Sequence, residues 1–143
     1  MFDELEKYKQ KDHFFFMGEE EEIYSVCNAP RAESGVYIVY ALQGGGIELV
    51  YIGSSGKVNN KGKIRHQLGG LYDEIVGLHM FAKETRKKSL GQKLKAEKIE
   101  ALDVYWYVTL DSENMDIPLF VKATIMQRFY EMSGRLPRWN KEF

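Results

Sequence analysis

A single cysteine, Cys27, in a chain of 143 residues excludes a disulfide framework and a thiolate metal cluster, because both need sets of thiols. That usage suits a reducing cytoplasm. Cys27 itself reads as a small buried hydrophobe, since no histidine sits in a recognisable partner motif for a nucleophile. The chain has no apolar run of about eighteen residues or more, and Met1 to Lys11 is charged rather than a basic stub leading into an apolar stretch, so neither membrane insertion nor Sec-type export is expected. Internal repeats and low-complexity linkers are absent from the sequence as well. What is present is a 44% apolar composition, enough for one packed core and one domain.

The formal net charge of -1 hides a strong asymmetry. Residues 1 to 34 carry nine acids against four bases, centred on Glu19-Glu20-Glu21-Glu22, whereas residues 57 to 98 carry eleven Lys or Arg against four acids. A balance of +7 over one segment is the footprint of a phosphate-binding face. The acidic leader is expected to cap and solubilise the chain, or to lie across the basic face. These contrasts divide the sequence into an acidic extension, residues 1–34, packed on a core of residues 35–143.

Along the chain, Phe14-Phe15-Phe16 reads as a buried anchor and Glu19 to Val26 as a short helix with acids at its favourable end. Val36 to Leu42 and Ile47 to Ile52 are β-branched and aromatic runs around Gly44-Gly45-Gly46, a strong hairpin signal. Ser54 to Gly70 is rich in Gly, Ser, Asn and Lys and reads as a loop. A helix opens at Leu71, a basic helix interrupted near Gly91 spans Lys83 to Lys98, and Asp103 to Thr109 is a third strand buried on both faces. The last helix runs from Ile117 to Met132, with Pro118 in its first turn and Gly134 as its stop. The tail Leu136-Pro137-Arg138-Trp139-Asn140 is extended and packs back on the core.

Two strings on the hairpin, Gly35-Val36-Tyr37 and Tyr51-Ile52-Gly53, followed by Ser54-Ser55 and closed by Pro137-Arg138-Trp139-Asn140, resemble the signature of the GIY-YIG nuclease superfamily. The resemblance covers roughly residues 35 to 140. It implies an α/β (α+β) fold with a small central three-stranded antiparallel sheet flanked by helices, and Mg²⁺-dependent cleavage of DNA. In that family the two tyrosine hydroxyls reach one phosphodiester, an arginine on the next helix stabilises the phosphate, a glutamate holds one divalent ion, and the terminal asparagine orders the site. Tyr37, Tyr51 and Asn140 match directly. A phenol with an ordinary pKa near 10 needs a cation or metal hydroxide beside it to act as a base.

The arginine has two registers. Counted directly from Tyr-Ile-Gly, the basic candidates are Lys61, Lys63, Arg65 and His66. With the loop taken as an insertion, Leu71-Tyr72-Asp73-Glu74 overlays the family's helix, so that Glu74 replaces the arginine and His79 falls near a histidine that often follows. The glutamate position, near the start of the last helix, holds Lys122. An ammonium has no lone pair for Mg²⁺ and repels it, and neither Asp116 nor Glu131 sits where the motif wants a ligand. A Glu74–Lys122 ion pair would keep the scaffold and lose the chemistry.

The reading is a DNA-binding GIY-YIG-type protein resembling a Mg²⁺-dependent endonuclease, either active through Tyr37, Tyr51, Arg65, His66 and Asn140 or impaired by the exchanges at Glu74 and Lys122. The alternative is a catalytically inactive nucleic-acid-binding or regulatory module. Lys57, Lys61, Lys63, Arg86, Lys87 and Lys88 are the expected DNA contacts in either case. A protein-interaction domain using the acidic leader and the aromatic strands is a third reading.

Overall fold

The computed structural model describes residues 2–18, 22–65, 69–77 and 86–143, without the side chains of residues 65 and 86–89. In chain order it contains a short 3-10 turn (Asp3–Leu5), β1 (Lys11–Phe16), α1 (Ile23–Val26), β2 (Ser34–Gln43), β3 (Gly46–Ser55), β4 (Lys57–Val58), β5 (Ile64–Arg65), α2 (Gly70–Val76), α3 (Arg86–Ala96), β6 (Ala101–Leu110) and α4 (Pro118–Ser133). The fold is mixed α and β. Its centre is an antiparallel sheet of four strands in the order β1-β6-β2-β3, beside a two-stranded β4-β5 ribbon.

The β2-β3 hairpin forms as its pattern requires. Gly44 and Gly45 both have positive φ, 55° and 81°, the backbone of the tight turn whose twist matches that of the flanking strands. Gln43 then pairs with Gly46, Tyr37 with Gly53 and Val39 with Tyr51. A bulge between Val39 and Tyr40 leaves Val50 as the extra residue. Because side chains alternate along a strand, Val36 and Ile38 face one way and Tyr37 and Val39 the other, and both sets are buried. Tyr37, Val39, Leu102, Val104 and Trp106 meet Leu71 and Ile75 of α2 and Leu90 and Leu94 of α3 on one face. Val36, Ile38, Leu49 and Ile52 meet Val121, Ile125, Met126 and Phe129 of α4, with Phe2, Leu5 and Tyr8, on the other.

Five expectations change. The sheet has four strands rather than three, because Lys11–Phe16 pairs with β6 along its whole length. Phe14 and Phe16 point inward while Phe15 is 47% exposed, which is the alternation of a strand and not an anchor. The loop from Ser54 to Gly70 contains the β4-β5 ribbon, in which Lys57 pairs with Arg65 and Val58 with Ile64. The first helix begins at Ile23 with Glu22 before it; Glu19 to Glu21 lie outside the described residues. Finally, α3 runs without a break through Gly91, where an added Cβ would make only an ordinary contact with the Gly18 carbonyl at 3.4 Å. No helix among the described residues is long and apolar enough to cross a membrane.

Candidate functional site

Strand β2 carries Tyr37 into the interface with α2, and strand β3 carries Gly53 directly opposite it. The Tyr37 ring lies flat over that glycine: a Cβ at position 53 would stand 2.6 Å from the Tyr37 hydroxyl. Only a residue without a side chain leaves room for the ring. Tyr51, two residues earlier on the same face of β3, stands beside it with ring centroids 5.9 Å apart. The start of α2 is pinned by hydrogen bonds from the Leu71 and Tyr72 amides to the carbonyls of Glu33 and Pro30, both 3.1 Å, and by Arg31 stacked 3.8 Å over the Tyr72 ring. That anchorage places Glu74, one turn on, so that its Oε2 accepts a long 3.5 Å hydrogen bond from the Tyr37 hydroxyl. From the opposite layer, Lys122 of α4 is half-buried and feels the charge of Glu74.

Three of these side chains, Tyr37, Tyr51 and Glu74, therefore meet, while the Lys122 ammonium lies 5.4 Å over the Phe143 ring and reaches Glu74 through its charge. Their electrostatics oppose base catalysis. Burial, followed by the proximity of Tyr51 and the negative charge of Glu74, holds the Tyr37 phenol well above its ordinary range. Burial and then Glu74 also push Tyr51 up, partly offset by its hydrogen bond with Tyr37. Burial pulls the Lys122 ammonium down, and the Glu74 carboxylate only partly restores it. Both phenols stay protonated at neutral pH, because the nearest charge is an anion and the nearby cation is itself half-desolvated. Tyr37 is fully enclosed and Tyr51 half-buried, so of the two only Tyr51 meets solvent.

Asn140 holds the outer side of β3. Its Oδ1 accepts from the Ile52 amide at 2.9 Å and its Nδ2 donates to the Ile52 carbonyl at 3.0 Å, while the Trp139 amide donates to Val50 at 2.9 Å. Arg138 next to it is ion-paired with Glu48 and Glu97. The tail thus fixes the strand that carries Tyr51 by hydrogen bonds to its backbone. Lys57, Lys61 and Lys63 are exposed on the β4-β5 ribbon. The backbone of Arg65 lies in β5 and that of Arg86, Lys87 and Lys88 in the first turns of α3; their side chains, and His66 and His79 altogether, lie outside the described residues.

The donor set does not fit the single Mg²⁺ that the resemblance implies. Lys122, at the position where the resemblance would want the ligand, carries an ammonium that offers no lone pair. Among the described residues no group of three or more His, Cys, Asp or Glu side chains is placed to hold a metal. Asp116 is engaged by Lys7 at 2.7 Å and by the Tyr8 hydroxyl at 2.6 Å. Glu131 accepts from Gln127 along the exposed side of α4.

One polar cluster escaped the sequence reading. On the other face of the sheet His13 of β1 pairs with Asp103 of β6, Nδ1 to Oδ1 2.7 Å, and stacks on Tyr105 at 4.7 Å. Asp103 inside an otherwise apolar strand was the available signal, since a buried carboxylate requires a partner. Cys27, read as a buried hydrophobe, is instead only partly buried, and that burial pushes its thiol up to about 11. Set against protein-family models, curated proteins and solved structures, the chain matches none.

Proposed function

We propose that this chain is a GIY-YIG-type nucleic-acid-binding domain whose hydrolytic centre has been disabled by an inverted pair of charges. The observation that carries the reading is the meeting of Tyr37, Tyr51 and Glu74 from β2, β3 and α2, with Lys122 of α4 in the electrostatic range of Glu74. A phosphodiesterase centre needs a base for the attacking water and positive charge for the phosphoryl oxygens. Here the carboxylate stands where it repels phosphate and keeps the phenols neutral, and the ammonium stands where a metal ligand is wanted. What remains useful is the scaffold and its basic segment, residues 57 to 98, which supports binding to phosphate backbones.

The test is plasmid nicking with Mg²⁺. The unaltered chain relaxes supercoiled DNA slowly or not at all, while Glu74→Arg with Lys122→Glu raises nicking, because the guanidinium lowers the phenol pKa and steadies the phosphate and the carboxylate supplies a metal ligand. Either single change does less, since it leaves two like charges in one site. Robust cleavage by the unaltered chain, lost on Arg65→Ala and indifferent to Lys122→Ala, overturns the reading in favour of the register through Arg65. A double variant that folds and binds DNA but stays inert also overturns it, since the inverted charges are then not the defect.

A further inference from the structure

The connection between Tyr51 and Glu74 carries more positive charge than the site it joins. From Ser54 to Tyr72 there is no Asp or Glu, and Lys57, Lys61, Lys63 and Arg65 fall within nine residues. Six other cations are paired: Lys7 with Asp116, Lys9 with Glu113, Lys11 with Glu6, Lys93 with Glu97, Arg128 with Glu4, and Arg138 with Glu48. Among the described residues Lys57, Lys61 and Lys63 have no acidic partner. They are nevertheless set on an ordered frame. The Asn59 amide donates to the Lys63 carbonyl at 3.0 Å and the Gly62 amide to the Asn59 carbonyl at 2.9 Å. The Asn59 side chain then accepts from the amides of Lys61 and Lys63, both 3.0 Å. A Cβ added at Gly62 would find nothing within 4 Å, so the tip stands clear of the body.

Holding like charges together on a fixed, projecting tip costs free energy in the isolated chain, and it lowers the ordering cost of binding a polyanion. A two-stranded ribbon fits the major groove of duplex DNA, about 12 Å wide. The segment from Ser54 to Leu71 holds no Phe, Tyr or Trp, so it lacks the stacking rings that single strands require. Its tip, Asn60 to Lys63, has no apolar side chain to enter a bilayer. We propose that the β4-β5 ribbon is a preorganised arm that enters a groove of duplex DNA, with Lys57, Lys61 and Lys63 on the flanking phosphates and Asn59 as the residue that positions the tip. This rests on the nucleic-acid reading above and names the surface that does the binding.

The experiment follows the anisotropy of a labelled duplex of about 20 base pairs between about 50 and 200 mM salt. The full chain binds with an affinity that falls steeply with salt. Replacing Lys57, Lys61 and Lys63 together by Ala makes the log–log slope shallower by about 2.7, close to 0.9 for each phosphate released, and weakens binding about tenfold or more at the lowest salt, with the melting temperature unchanged. Asn59→Ala weakens binding but leaves the slope as it was, because the same phosphates are still met by a less ordered tip. A triple variant with the slope and affinity of the parent overturns the arm while leaving the nucleic-acid reading in place. A parent chain that binds no duplex even at low salt overturns both. Preference for single strands, or for vesicles of anionic lipid, overturns the duplex assignment.

Discussion

Gly53 shows how much a single position decides. It is the third residue of the Tyr-Ile-Gly string, and the structure gives its smallness a purpose, since the enclosed Tyr37 ring occupies the space a side chain would take. Gly53→Ala should therefore destabilise the fold by about 1–3 kcal/mol through forced displacement of a buried ring. Gly46→Ala in the same strand, whose added methyl meets only the Gln43 carbonyl at 3.4 Å, should change stability far less. Urea melts of the two variants compare them, and a neutral Gly53→Ala would show that the ring is not wedged as described. That Tyr37, Tyr51 and Glu74 come together was legible in the sequence, and the structure does bring these three side chains beside one another. Their protonation was not. A motif fixes which phenol lies on which strand, but the pKa of that phenol depends on what α2 and α4 lay over it, and that is a property of packing.

At the level of elements, periodicity was a good guide where apolar residues alternate with polar ones or recur at helical spacing, as in β2, β3 and α4, and a poor one where it is masked. Three successive phenylalanines hide the alternation of β1. The β4-β5 ribbon pairs only two residues on each side, and its signal is the Asn and Gly chemistry of its turn. Gly91 misleads because a helical glycine reads as a break, whereas here the helix runs straight through it. The missed strand bears on how the chain divides. β1 supplies Phe14 and Phe16 to one core cluster, and the turn before it supplies Phe2, Leu5 and Tyr8 to the other. Tyr8 also reaches Asp116 just before α4, 2.6 Å away. A fragment of residues 35–143 should accordingly lack a cooperative thermal transition, since it leaves one side of β6 without a partner and opens both clusters. A sharp calorimetric transition in that fragment would contradict this and make the first 34 residues dispensable.

Across the whole molecule, covering both faces of one sheet buries or crowds an unusual number of phenols. Six of the nine tyrosines, Tyr8, Tyr37, Tyr40, Tyr51, Tyr105 and Tyr107, are raised, with burial the largest cause in each; Tyr107 is pushed up to about 12. Each folded pKa lies above the unfolded value near 10. Below that pH both states keep the proton and the stability is intact; above it the unfolded chain ionises first, and stability falls as pH rises toward the folded values. The fold should thus fail cooperatively in alkali, with much of the tyrosinate absorbance appearing together with the loss of circular dichroism. Smooth ionisation of all nine near pH 10 with the dichroism intact would disprove it. The tail that grips β3 has a consequence for assembly. Trp139 and Asn140 occupy the middle of one outer edge of the sheet, and β1 forms the other. A chain of molecules growing strand to strand needs two receptive edges on every copy. With one edge taken by its own tail and the middle of β1 met by Asn28, whose Nδ2 donates to the outward His13 carbonyl at 3.1 Å, neither edge offers another copy an uninterrupted row of backbone groups, which guards the sheet against strand-to-strand growth.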